Sequence, residues 1–122
     1  MVTNQWAGSD GDIVAAATQA MGYAKVIGER SWGGVVGIDG RFDLVDGTSV
    51  TQPRYAGWSG SYGWGVVNHG VDPDIVVTVS PEDWEADCDV QLDAAIAECL
   101  RQLDDKPAAT APELPGPAFD RC

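Results

Sequence analysis

Hydrophobic positions along the chain fall into a few short, clear patterns. Ile13, Ala16, Ala17, Ala20 and Met21 recur at helical spacing and predict a first helix over about residues 12–21, with Asp10 or Asp12 capping its start and Gly22 ending it. Lys25 to Gly28 reads as a short buried strand. Val35 to Ile38 and Arg41 to Val45 flank Asp39-Gly40, a two-residue hairpin signal, and Asp46-Gly47 repeats it before a third strand, Thr48 to about Thr51. Residues 34–52 are therefore expected to form a β-meander, which Gln52-Pro53-Arg54 ends or places on an edge. Ile75 to Val79 is the clearest strand. Ser80-Pro81-Glu82-Asp83 carries the marks of a helix start, with Trp84 expected to pack that turn against the body. A longer helix follows over about 90–103. Its face of Leu92, Ile96, Cys99, Leu100 and Leu103 is expected in the core, and Lys106-Pro107 stops it.

Four prolines among residues 107–122 end the folded part near Lys106 and predict a flexible tail. At the other end, Met1 to Asn4 reads as the last residues of a strand, as though the chain began inside a larger unit. The length of 122 residues suits one domain with a modest core.

The net charge is −12, from 7 basic and 19 acidic residues. An acidic chain with no basic cluster is a poor partner for nucleic acid or an anionic membrane. No apolar run reaches the roughly 18 residues of a membrane span, and no signal segment precedes Ser9. Cys88, Cys99 and Cys122 lack metal-ligand spacing, so reduced cytoplasmic thiols are expected. Asp10-Gly11-Asp12 and Asp72-Pro73-Asp74 do not continue into a calcium loop, so no metal and no cofactor is expected.

The candidate chemistry is concentrated in Ala7-Gly8-Ser9-Asp10-Gly11, close to the G-x-S-x-G nucleophile elbow. Small residues on either side let a carbonyl approach the serine. The N–H of Asp10, at a helix N-terminus, then favours a developing oxyanion. The same residue types also make an ordinary capped turn. His69 is the single histidine, so a base within this chain could only be His69, although it lies in a polar turn. The glycine- and aromatic-rich stretch from Tyr55 to Gly65 reads either as a packed surface loop or as a cleft wall.

Three blocks carry a resemblance: Ala7 to Asp12, Arg30 to Ile38, and Tyr62 to Asp74. In order and spacing they resemble the C-terminal catalytic half of the tricorn-type proteases, among the tail-specific, C-terminal-processing serine peptidases. The similarity runs from residue 4 to about 106. It implies an α/β fold of the crotonase-like kind, only part of which is present. It also implies that Ser9 is the nucleophile and that the Asp10 backbone N–H is one half of the oxyanion hole. Ser31, Trp32, Gly33 and Gly34 would then lie beside the peptide cleft. In this family the catalytic histidine lies well upstream, so by the resemblance His69 is not the base. The family usually has Gly-Val-Glu-Asn where this chain reads Gly65-Val66-Val67-Asn68, so Val67 replaces an acid of the catalytic set.

The expectation is that residues 1–106 are the C-terminal part of a tricorn-like serine peptidase domain that hydrolyses peptides through an acyl-enzyme on Ser9. Alone the chain would be inactive. Its implied partners are peptide substrates, the upstream half of the peptidase and further copies in a cytoplasmic oligomer. The alternative is a non-catalytic remnant, or a module that binds a peptide or partner.

Overall fold

A computed structural model describes residues 1–113 and 116 of the chain. Of the expected tail, residues 114, 115 and 117–122, with Cys122 among them, lie outside the described residues. The elements are β1 (Val2–Thr3), α1 (Asp10–Ala20), β2 (Ile27–Gly28), β3 (Val36–Asp39), β4 (Gln52–Ala56), β5 (Ile75–Val76), α2 (Pro81–Glu85) and α3 (Val90–Asp105).

The centre is a three-stranded parallel sheet in the order β1-β2-β5, with Ile27 beside Val2 on one side and Ile75 on the other. The strand expected over residues 75–79 has only two residues of regular pairing, although Val77 N–H still reaches Gly28 O at 2.8 Å. The α3 helix lies against β1 and β2. Its buried residues are Gln91 and Ala95, and the Gln91 amide donates to Val77 O at 2.9 Å, so a buried polar side chain finds a partner. Ser80 and Asp83 form a reciprocal capping box at the start of α2, as the sequence predicts.

Asp74 closes the sheet end. Its Oδ2 accepts the N–H of fully buried Val26 at 2.7 Å. That bond, with Gln19 and Lys25 nearby, holds the Asp74 carboxyl below the usual carboxylate range. A depressed folded pKa stabilises the fold above the unfolded value near ~3.9, and this stability is lost as pH falls through the folded value. Asp74→Ala is expected to cost about 1–3 kcal/mol at pH 7, because it orphans a buried donor. Urea melts of the variant and wild type should converge as the pH is lowered below about 4.

Three expectations need correction. The meander is absent: β3 pairs antiparallel with β4, in register Ile38 to Pro53 and Asp39 to Gln52. Asp39-Gly40 does not turn the chain back on itself. The Asp39 carboxylate instead takes Arg41 at 2.7 Å and Arg54 at 3.6 Å, clamping both ends of the intervening excursion. That excursion folds on itself at Asp46-Gly47, where Asp43 pairs with Ser49 and Leu44 N–H donates to Thr48 O at 2.9 Å. Pro53 is tolerated within β4 because a two-stranded sheet leaves each strand an unpaired side.

The second correction concerns both long helices. The first, α1, buries Asp12, Ala15 and Thr18, while Ile13, Ala17, Ala20 and Met21 are exposed. Leu92, Ile96, Cys99, Leu100 and Leu103 of α3 are likewise exposed. Third, Trp84 does not pack against the body. It is 82% exposed, and the other four tryptophans range from 62% to 83%. Among the described residues the buried apolar set is Ala15, Val26, Ile27, Val71 and Ala95.

Candidate active site

Three backbone segments converge at the start of α1. The first is the turn from Ala7 to Asp10. It is braced by the Ala7 N–H to Asn4 O bond at 2.9 Å and the Gly11 N–H to Gly8 O bond at 2.9 Å. Ser9 sits at its apex with φ 54° and ψ −112°, a conformation that costs a non-glycine residue about 1–3 kcal/mol. Ser9 is the N-cap position of α1, yet its side chain makes no capping bond. Among the described residues the exposed Ser9 hydroxyl has no hydrogen-bond partner. The backbone is strained and the hydroxyl is left over, which is what a nucleophile elbow requires and an ordinary capped turn does not. The Asp10 N–H begins the helix, where no intrahelical acceptor exists.

The second segment is the loop of residues 30–34. Trp32 N–H donates to Ala7 O at 2.9 Å, fastening this loop to the elbow. A Cβ at Gly8 would run into the Trp32 ring, so the glycine beside Ser9 permits the close approach. Trp32 is exposed, Gly34 is half-buried, and Ser31 and Gly33 are buried. The Ser31 hydroxyl donates to Asp12 Oδ1 and accepts from Val71 N–H at 2.8 Å, so it is committed within the protein.

The third segment is the turn from Val66 to Val71. Asn68 adopts φ 64° and its N–H donates to Gly33 O at 2.8 Å. Val67, half-buried, immediately precedes it. The His69 ring is already engaged. Nε2 lies 2.8 Å from Asp72 Oδ2, and Nδ1 lies 3.5 Å from Arg30 Nη1. Both ring nitrogens therefore face side chains of this chain, Asp72 and Arg30. Among the described residues no hydrogen bond joins His69 to Ser9.

One face of α1 opens onto an apolar groove of about 290 Å³, lined by Ile13, Ala16, Ala17, Val35, Trp58 and Tyr62 among others. Sequence periodicity reads this face as core, and it is instead a groove wall. The aromatic loop supplies the opposite wall. Tyr62 is pinned by donating its phenol to Gln19 Oε1, and Gln19 Nε2 donates to Asp72 O at 2.9 Å. Burial, followed by the Asp74 and Asp72 charges, pushes the Tyr62 phenol above its ordinary value, so it remains a donor. The first residue lining the groove, Ile13, lies one helical turn beyond Ser9 along α1.

Asp12 is the residue of this region whose placement pattern reading misses. Its type and place suggest a cap, but it is fully buried and bonded to Ser31 and Gly33. Among the described residues no cluster of three potential ligands could hold a metal ion, and no helix is long and apolar enough to cross a membrane.

The profile of peptidase family S41 matches residues 1–77. Tricorn protease homolog 1 of Streptomyces coelicolor is 58% identical over 114 residues, which is 93% of this chain and 11% of that protein. Tricorn protease of Thermoplasma acidophilum is 46% identical over 102 residues, 84% of this chain and 10% of that protein. The crystal structure of the tricorn protease superposes with a TM-score of 0.81 at 46% identity, over 84% of this chain and 10% of that one. The chain thus spans about a tenth of the length of the curated relatives it matches.

Proposed function

This chain belongs to peptidase family S41, and from that premise we propose that residues 1–106 form the C-terminal part of a tricorn-like serine peptidase domain, crotonase-like in fold, with Ser9 as its nucleophile. The observation that carries the reading is the strained Ser9 backbone with its hydroxyl free at the head of α1. In the reaction, Ser9 Oγ attacks a peptide carbonyl while a base takes its proton. The Asp10 N–H donates to the tetrahedral oxyanion. The amine leaves with that proton, and water then releases the acyl group from Ser9. Trp32, with the backbone of Gly33 and Gly34, would border the peptide, and the groove on α1 would receive an apolar side chain.

The base must come from elsewhere. His69 is held by Asp72 and Arg30, and Val67 can neither charge nor orient an imidazole. A second polypeptide segment carrying the histidine would complete the site. The exposed faces of α1 and α3 are surfaces that such a segment, or a further copy of the chain, would cover. A cytoplasmic setting follows the same resemblance. A second reading, a non-catalytic remnant or a module binding a peptide or partner, is favoured by Val67 and by the same open apolar faces.

Intact mass after treatment with a fluorophosphonate separates the two readings. The chain is tested alone and mixed with an upstream tricorn-like half, with Ser9→Ala alongside. A single adduct that appears in the mixture and vanishes in Ser9→Ala is expected. Hydrolysis of peptides should fall by about 10³-fold or more in the same variant. No adduct in either sample, from folded protein, would favour the binding-module reading.

A further inference from the structure

Asp12 lies three residues past Ser9, in the first turn of α1, and is completely buried. A carboxylate there could have turned outward to cap the helix from the surface. Instead its Oδ1 accepts the Ser31 hydroxyl at 2.5 Å and the Gly33 N–H at 2.8 Å. Ser31 Oγ in turn accepts the Val71 N–H at 2.8 Å. One carboxylate oxygen therefore ties the helix that follows Ser9 to the loop of residues 31–34, and through Ser31 to the turn that ends at Val71. The other oxygen, Oδ2, is buried with no partner among the described residues. Taking a charge out of water is costly, and half of this carboxylate gains no bond in return. The helix N-terminus offsets part of that cost, since its dipole favours a negative charge in the first turn. The arrangement is better explained by what the bonded half holds in place.

What it holds is the loop facing the elbow. Trp32 stands between the two residues that Asp12 grips, and its own N–H is bonded to Ala7 O. The loop is thus fixed on both sides of the indole, by Asp12 from within and by the elbow from above. We propose that Asp12 is a positioning residue that sets the height and tilt of residues 31–34 against Ser9, so that a peptide bordered by Trp32 and Gly34 presents its carbonyl to the hydroxyl. This rests on the reading of Ser9 as the nucleophile. Asp12 touches no reacting atom and acts only through the loop.

Two variants test this. Asp12→Asn keeps an acceptor of the same shape for Ser31 and Gly33 but puts an amide with no acceptor in place of Oδ2. Asp12→Ala removes both bonds. The first readout is hydrogen–deuterium exchange of the full chain. Exchange in residues 31–34 should rise at least tenfold in Asp12→Ala and less in Asp12→Asn, with residues 26–28 unchanged. A uniform rise across the chain, or no rise in the loop, overturns the proposal. The second readout compares two reagents on the mixture with the upstream half: a small fluorophosphonate, and a peptidyl phosphonate that must lie along the loop. The ratio of peptidyl to small-reagent labelling rates should drop at least tenfold in Asp12→Ala and be partly restored in Asp12→Asn. An unchanged ratio means that Asp12 only supports the fold, and overturns the positioning role. If wild type labels with neither reagent, the nucleophile reading and the positioning role fail together. The exchange data then show separately whether Asp12 anchors the loop.

Discussion

Replacing Gly33 by alanine should cost the chain more than about 3 kcal/mol of stability, and Gly70→Ala should do the same. Both glycines have φ of 83°, in the left-handed region that costs other residues about 1–2 kcal/mol. The larger penalty comes from their neighbours. A Cβ on Gly33 would lie 2.5 Å from the Gly70 nitrogen and 2.8 Å from the His69 nitrogen, and a Cβ on Gly70 would run into Ser31 O. The obstructing atoms are backbone on both sides, so no side chain can swing away. Relief would require separating the 31–34 loop from the 68–71 turn, breaking the Asn68 to Gly33 and Ser31 to Val71 bonds. The expected loss exceeds about 3 kcal/mol, a large share of the 5–15 kcal/mol typical of a domain. Gly47→Ala is the control. Its φ is 84° but nothing lies within 4 Å of the added carbon, so about 1–2 kcal/mol is expected from the backbone alone. Far-UV circular dichroism and thermal melts of the three variants separate the torsional term from the contact between segments. Equal losses in all three would mean that the two loops are not packed as described.

What the sequence reveals here depends on how local each determinant is. The Ser80–Asp83 capping box, the Asp46-Gly47 turn and the long final helix are local, and all three are present. Periodicity also identified an apolar stripe on each long helix. It could not say which neighbour the stripe meets, so Ile13 and Leu92 were placed in a core that does not cover them. The Asp39-Gly40 hairpin failed because two arginines, one of them 15 positions away, compete for the Asp39 carboxylate. At the candidate site, the small residues around Ser9 stand in the sequence at the offsets an elbow would need. The burial of Asp12 was not legible, because an aspartate in a first helical turn looks the same whether it caps the helix or holds a distant loop. The resemblance implies that Ser31 borders a peptide cleft, and its hydroxyl is bonded inward. Its contribution to any cleft is therefore through the backbone it fixes.

Val67→Glu should raise the peptidase rate of the chain mixed with an upstream histidine-bearing half by about tenfold or more, with KM within about threefold. Orienting and charge-stabilising an imidazole contributes most in the transition state, so kcat should carry the gain. Val67 is half-buried, directly before the Asn68 turn bonded to Gly33, so a side chain there is held by the same packed segments that surround Ser9. The substitution should also weaken the chain when it is alone. A partly desolvated carboxylate without a partner costs stability, because the charge loses hydration and gains no bond in return. Adding the histidine half supplies the partner, so the loss of stability should shrink in the mixture while the rate rises. Val67→Gln separates hydrogen bonding from charge: it can orient an imidazole but cannot stabilise an imidazolium, and should recover less of the rate. Thermal melts of each variant alone and mixed, followed by kcat on one peptide substrate, give both quantities. Destabilisation that persists in the mixture with no gain in rate would mean that position 67 does not face the base, and the acid of this site would then have to lie outside the chain.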